Sequence, residues 1–310
     1  MKILVTGGAG FIGSTIVDRL LARGDEVWVV DDLTGGKLDN LAEARRDGNV
    51  HFDRFDIRLG GFREILRKAG PEAVCHLAAQ QAVPASVKDP IHDAQVNVVG
   101  LLNVLEGCVE VGVGKFVFAS SGGTIYGDQT KLPIKETAHG RPISPYGITK
   151  LAAEHYLRFY RDEHGLDFMS LALANVYGPR QDPHGEAGVV AIFTSKLLGG
   201  EVPTIHGDGE QTRDFVFVDD VAHAFVLATS KGSGETVNIG TGAQTTINEL
   251  YRAMADAAGF DGDAVHGPPR PGDVRFSALD PSKAEKILGW QAWTTVAEGA
   301  KATIEHFRGG

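Results

Sequence analysis

A short apolar run, Ile3-Leu4-Val5, ends directly in Thr6-Gly7-Gly8-Ala9-Gly10-Phe11-Ile12-Gly13, and a segment of helical period follows. The glycines at 7, 10 and 13 permit a tight turn, close approach of the backbone to a bound group, and close packing of helix on strand. The helix opened by that turn leaves its first N–H groups without intrahelical partners and carries partial positive charge there. A dinucleotide pyrophosphate is held by that arrangement. A second apolar run, Val27-Trp28-Val29-Val30, stops at Asp31-Asp32, 18 residues beyond Gly13. A carboxylate at that point accepts hydrogen bonds from the adenosine ribose and repels a 2′-phosphate, so the pattern predicts NAD rather than NADP. Asp56-Ile57, after a third strand, suits the adenine edge.

Three more apolar runs, Ala73-Val74-Cys75, Phe116-Val117-Phe118 and Leu171-Ala172-Leu173-Ala174, are continuous rather than alternating. Strands covered on both faces by crossover helices read this way. Helical period falls between the runs, at 11–23, 61–69, 92–111 and 146–164. This strand–helix alternation predicts an α/β protein: a doubly wound parallel sheet of Rossmann type over 1–175, with some later segments returning to it. Beyond Pro179 the pattern loosens into a turn at 182–188, a helix near 189–199 and a Pro/Gly segment from His266 to Gly272. A smaller, mixed α/β domain over 176–310 is expected there.

With 310 residues, 43% of them hydrophobic, the chain can bury a full core. Its formal charge of −10 argues against a nucleic-acid groove or an anionic membrane surface as partner. The two cysteines, Cys75 and Cys108, sit among apolar neighbours and read as buried thiols in a reducing compartment. No apolar run approaches the roughly 18 residues that span a bilayer, and the N-terminus lacks the features of a signal peptide. A cytoplasmic protein is expected. None of the 11 histidines stands in a metal-binding spacing, so no metal is expected.

Two further motifs carry chemistry. Tyr146-Gly-Ile-Thr-Lys150 puts a phenol and an ammonium on one face of a helix. Bringing a tyrosine from a pKa of about 10 to about 7 takes roughly 4 kcal/mol, within reach of two nearby cations in a poorly hydrated cleft. Ser120-Ser121-Gly122-Gly123-Thr124-Ile125-Tyr126-Gly127 follows the fifth strand, where ligands of open parallel sheets sit.

The glycine turn, this hydroxyl loop, Tyr146-x-x-x-Lys150 and Asn175-Val176-Tyr177-Gly178-Pro179-Arg180 together resemble the extended short-chain dehydrogenase/reductases. Within them the likeness is greatest to the UDP-glucose (UDP-galactose) 4-epimerase branch. In the second half Ile205-His206-Gly207-Asp208-Gly209, Arg213-Asp214-Phe215, Arg270-Pro271-Gly272-Asp273 and Asp280-Pro281-Ser282-Lys283-Ala284 extend it over nearly the whole chain. The resemblance implies Tyr146 as acid/base, with Lys150 as its electrostatic partner and a ligand of the nicotinamide ribose. It implies an NAD site formed by Gly7, Gly10, Phe11, Ile12, Gly13, Asp31, Asp32, Asp56, Ile57, Leu77, Ala78, Ala79, Gln81, Asn97 and Ser120. For a UDP-sugar it implies Asn175, Arg213 and Arg270 on the phosphates, Asp273 on the uridine ribose, His206 on the uracil, and Val189 and Ser277 along the pocket. Two arginines suit a diphosphate by charge and fork geometry. A homodimer through helices 92–111 and 146–164 is implied as well.

The chain departs from the family pattern in two places. Gly122 stands where a Ser or Thr is usual. If the stretch is extended, 120, 122 and 124 share a face, which favours Thr124 as the hydroxyl reaching sugar O4, with Ser121 next. Ala172 and Leu173 replace a common Arg and Tyr, removing an aromatic neighbour of the nicotinamide. The implied reaction is inversion at C4 of a UDP-hexose through a 4-keto sugar, with the N-acetylated pair admitted beside small Ser277. A UDP-glucuronate 4-epimerase would need a donor for the C6 carboxylate, which the sequence does not locate. Dehydratases carry an Asp-Glu pair after the loop threonine, for which Gly122-Gly123 and Ile125 leave no place, and a decarboxylase is less supported. An NAD-binding scaffold without activity would not need the Tyr146/Lys150 pair.

Overall fold

The inner strands of the central sheet send alternate side chains to its two faces, which is why their runs read as continuously apolar. The computed structural model describes residues 1–46, 49–183, 188–269 and 274–309. Its first half runs β1 (Lys2–Thr6), α1 (Phe11–Ala22), β2 (Glu26–Asp31), α2 (Ala42–Arg46), β3 (Val50–Arg54), α3 (Phe62–Ala69) and β4 (Ala73–His76). There follow α4 (Val83–Lys88), α5 (Pro90–Ala94), a π-helical stretch (Gln95–Gly100), α6 (Leu101–Val111), β5 (Lys115–Ser121), α7 (Gly122–Ile125), α8 (Pro145–His164) and β6 (Phe168–Leu173). The second half comprises β7 (Asn175–Tyr177), α9 (Val189–Leu198), β8 (Thr204–His206), β9 (Thr212–Arg213), β10 (Phe215–Phe217), α10 (Val218–Ala228) and β11 (Glu235–Ile239). It closes with β12 (Thr245–Thr246), α11 (Ile247–Ala258), β13 (Val265–Gly267), α12 (Ser282–Leu288) and α13 (Val296–Arg308).

The seven-stranded sheet has the order β11-β6-β5-β4-β1-β2-β3, and all its pairings are parallel. On one face Ile3, Val5, Val27, Val29, Cys75 and Val117 pack with α1 and α10. On the other, Leu4, Val30, Val74, Phe116 and Phe168 meet α3, α6 and α8. A third core joins α9, α11 and α13 around Phe193, Leu250 and Ile304. Strand order reverses between β1 and β4, so the exits of those two strands open a crevice of the kind that binds ligands.

The return to the sheet is substantial: α10, β11 and α12 place Phe225, Val237 and Leu288 in the first core. The helix expected from 92 begins at Pro90 and passes through the π-helical stretch, and Ala174 lies beyond the end of β6. Pro90–Val111, 22 residues, is long and apolar enough by length and composition to cross a membrane. That corrects the expectation from uninterrupted apolar runs, since Asp93, Gln95 and Asn97 break the run but not the average. Cys75 and Cys108 are both buried and unbridged.

Candidate active site

The glycine turn is a cradle that side chains would fill. Gly7 has φ +71°, and a Cβ there would lie 2.7 Å from the Ala78 nitrogen; at Gly13 it would lie 2.1 Å from the Gly7 carbonyl oxygen. Gly7 is thus held by the turn and by the exit of β4, and Gly13 by packing of α1 against the turn. At Gly10 the nearest atom would be 3.2 Å away, leaving the side at the mouth of α1 comparatively open. Asp31 ends β2 buried, its carboxylate accepting from the Ala9 N–H at 3.0 Å and the Leu33 N–H at 2.8 Å. Burial pushes its carboxyl above the usual range. A carboxylate has about four acceptor positions, so Asp31 keeps capacity for ribose hydroxyls while bracing the turn. These residues fit NAD.

Other expected cofactor residues take varied positions. The Asp32 carboxylate accepts from Thr34 N–H at 2.8 Å. Asp56 is engaged by the Arg58 guanidinium at 2.6 Å, which holds its carboxyl below the usual range. Ile57 is buried in the second core. Leu77 and Ala78 leave β4 with their N–H groups donated to the Thr6 carbonyl and hydroxyl at 3.0 and 3.3 Å. Ala79 is half-buried, whereas Gln81 is exposed. The inward glutamine is Gln80, clasped by Asn97: its N–H donates to Asn97 Oδ1 at 2.8 Å and its carbonyl accepts from Nδ2 at 2.9 Å. Asn97 therefore shapes the loop after β4 with an amide already committed to that loop.

Tyr146 and Lys150 lie in the opening turns of α8 because the helix start is fixed just before them. Ser144 caps it, accepting from the Gly147 N–H at 3.2 Å, and Pro145 occupies the first turn. The Tyr146 N–H donates to the Ser86 hydroxyl at 3.2 Å, anchoring α8 to α4. Burial drives the Tyr146 phenol up to about 12, and the Ser121 hydroxyl acts in the opposite direction. Lys150 is buried, its Nζ donating to the Ala119 carbonyl at 2.8 Å and lying 5.7 Å from the centre of the Tyr146 ring. Burial draws its ammonium down to about 8.

The hydroxyl loop differs from the extended stretch on which Thr124 was favoured. Strand β5 ends at Ser121 and residues 122–125 form α7. Alternation stops there. Ser120 points away from the cleft, its hydroxyl donating to the buried Glu154 carboxylate at 2.7 Å. Ser121, on the opposite side of the strand, meets Tyr146. Thr124 turns its hydroxyl back to the Ser121 carbonyl at 3.4 Å. Ser121 thus acts on the phenol, while the Thr124 hydroxyl is taken up by its own turn.

Farther from the phenol, Asn175 is exposed at the start of β7, its N–H donated to the Asp214 carbonyl at 2.9 Å. Val189 opens α9, and His206 ends β8 with Nδ1 3.2 Å from the Pro268 carbonyl. Arg213 lies in β9 and donates to the Thr212 carbonyl at 2.7 Å. Ser277 is half-buried, two residues before Leu279, which packs on α7. Arg270 and Asp273 lie outside the described residues. Sequence reasoning missed Asp93, Gln80 and Glu154; for Asp93 the available signal was an isolated carboxylate within the apolar stretch Pro90–Val111.

Fold and cleft together define an α/β protein that binds a nicotinamide dinucleotide. Residues 3–240 match the NAD dependent epimerase/dehydratase family, and the chain belongs to it. It is 49% identical over 309 residues to a UDP-glucose 4-epimerase of Mycolicibacterium smegmatis, covering 99% of each chain. The crystal structure of a UDP-glucose 4-epimerase with UDP-glucose from Thermotoga maritima is 50% identical, with a TM-score of 0.95 over 100% of this chain and 99% of that one. A UDP-glucose 4-epimerase complex with NAD from Thermus thermophilus is 46% identical, with a TM-score of 0.92 over 100% and 99%.

Proposed function

We propose that the chain is an NAD-dependent 4-epimerase of UDP-hexoses, interconverting UDP-glucose and UDP-galactose through a transient 4-keto sugar. The observation that carries this reading is the half-buried Tyr146 ring, with Lys150 beside it and Ser121 acting on its hydroxyl, next to a glycine cradle that fits NAD. Full-length likeness to UDP-glucose 4-epimerases supports the substrate class. When bound, NAD supplies a hydride acceptor and a ring cation.

Tyr146 takes the proton from sugar O4 and gives it back after the keto sugar has turned about its phosphate linkage. The phenol has to be drawn down from about 12, and nearby positive charge acts in that direction. Ser121, which favours the phenolate, shares the proton path. Asn175 and Arg213, with Arg270 and Asp273, hold the nucleotide. Anchoring the nucleotide alone leaves the hexose free to present either face. Incubating the NAD-loaded protein with UDP-galactose and separating the sugar nucleotides tests this: UDP-glucose is expected, and its absence overturns the reading.

The partner we propose is a second copy of the chain. Val87, Ile91, Val99, Ile148, Tyr156 and Phe159 stand exposed on α4, α5, the π-helical stretch and α8, elements that pack on one another. An apolar surface of this kind marks an interface. Sedimentation should give the mass of two chains, reduced to one by Phe159→Glu; a monomeric unmutated protein contradicts it. The buried free thiols suit a reducing, cytoplasmic setting.

A further inference from the structure

Beside the tyrosine–lysine pair lies a buried carboxylate that the proposed reaction does not use. Asp93 is 0% exposed. Its Oδ1 accepts from Gln80 Nε2 at 2.7 Å and from Asn97 Nδ2 at 3.0 Å, and its Oδ2 accepts from the Thr149 hydroxyl at 2.9 Å. The two amides donate to Oδ1, the one hydroxyl proton of Thr149 lies between Oδ2 and the Tyr146 carbonyl, and none of these partners, which satisfy a carboxylate charge, is a cation. Burying such a charge is costly without these bonds, and once buried its field is poorly screened.

Thr149 connects this carboxylate to the catalytic helix. It lies between Tyr146 and Lys150 in sequence, and its hydroxyl is also 2.9 Å from the Tyr146 carbonyl oxygen. The elements packed on α5 are α4, the π-helical stretch and α8. Lys88, Asp89 and His92 are exposed, and the π-helical stretch has no titratable side chain. His76, at the end of β4, is buried against Phe118, the ring over which Lys150 Nζ lies, and burial keeps its imidazole neutral. Tyr146 and Lys150 are therefore the ionisable groups that Asp93 acts on from α5.

We propose that Asp93 is a positioning residue for the reaction inferred above: fixed by Gln80, Asn97 and Thr149, its charge is the counter-charge of the Tyr146–Lys150 pair. The inference rests on that reading of the pair. A negative charge favours ammonium over amine and phenol over phenolate. Burial lowers Lys150 to about 8 while Asp93 works against the fall. Burial raises Tyr146, and Asp93 adds to the rise. Asp93 thus keeps the lysine cationic and the tyrosine protonated until positive charge from the cofactor arrives, so removing the carboxylate charge should move both ionisations to lower pH.

The test is an NMR titration of the full chain with isotope-labelled lysine, Lys150 being assigned by the resonance lost in Lys150→Met. In Asp93→Asn the Lys150 midpoint should fall by about one pH unit, roughly tenfold in its ionisation constant. Asp93→Glu, which keeps the charge, should restore it to within a few tenths of a unit. An unchanged midpoint in Asp93→Asn overturns the proposal. If that variant does not fold, Thr149→Val and Gln80→Met carry the test. Each removes a donor and keeps the charge, so the midpoint should hold even where stability drops; a fall of a full unit would show that packing, not charge, sets it. The titration needs no turnover, so failure of the 4-epimerase reading, seen with UDP-galactose, remains a separate result.

Discussion

Leu279 presses against Gly122 so closely that a Cβ on the glycine would lie 2.3 Å from the Leu279 Cδ1, with the Ala172 carbonyl oxygen 3.1 Å away on another side. The missing family hydroxyl is therefore a packing solution: Ala172, Ile125, Ile134 and Leu279 form a small core at the foot of the hydroxyl loop. Restoring a serine at 122 should overpack that core and destabilise the protein by about 1–3 kcal/mol. Thermal unfolding of Gly122→Ser checks this, and the double variant Gly122→Ser/Leu279→Ala should be less destabilised than the sum of its two single changes. Undiminished stability of Gly122→Ser would show that the loop yields readily.

Ser121 and Thr124 can be ranked by geometry. Ser121 favours the phenolate of Tyr146, while Thr124 turns its hydroxyl back to its own turn. Ser121→Ala should lower turnover by about 10–100-fold, a charge-assisted hydrogen bond being worth about 1.5–3 kcal/mol. Thr124→Val should change turnover by less than about threefold, since a back-bonded turn hydroxyl contributes little. Steady-state turnover of the two variants at saturating UDP-galactose decides between them, and the opposite ranking would return the role to Thr124.

The pH dependence of stability carries a signature of Lys150. Its folded-state value, about 8, lies below the ordinary 10.5. Between these values the unfolded chain binds more protons, so this group makes stability rise with pH, by up to about 1.4 kcal/mol per unit. Below about 8 the full cost of burying the ammonium is present. Lys150→Met should therefore exceed the unmutated protein in stability most at pH 7, with the gap closing towards pH 10.5. Denaturant unfolding across that range measures it; a constant gap would contradict the depressed lysine.

Ser277 lies two residues before Leu279, on the segment that packs against α7. With a small side chain there, the protein should also epimerise UDP-N-acetylglucosamine, and Ser277→Tyr should lose that activity at least tenfold more than activity on UDP-galactose, overpacking costing about 1–3 kcal/mol. Parallel assays on both sugars test it. No turnover of either N-acetylated sugar by the unmutated protein contradicts it.

The parallel sheet and the glycine turn were legible because they depend on local pattern: two-sided burial makes Val27-Trp28-Val29-Val30 continuous, and only glycine tolerates the contacts at 7 and 13. The loop after β5 was not. Residues 122–125 coil into α7 against Leu279, more than 150 residues away in sequence, and the alternation expected through Ser120 stopped where α7 begins. Ser120 accordingly serves Glu154, itself held by Ser170 and Thr236 from β6 and β11. Gln80 and Gln81 are adjacent in sequence, and only the bonds from Asn97 and Asp93 reveal which one turns inward. Such choices are tertiary and leave little trace in periodicity.

In the proposed reaction one hydride leaves C4 and returns to the same carbon, with Tyr146 moving the proton. UDP-galactose deuterated at C4 tests both parts at once. The account predicts UDP-glucose with the deuterium still at C4, formed about 10²–10⁴ times more slowly by Tyr146→Phe. Loss of the label to solvent, accumulation of a dehydrated keto sugar, or undiminished turnover by Tyr146→Phe would contradict it.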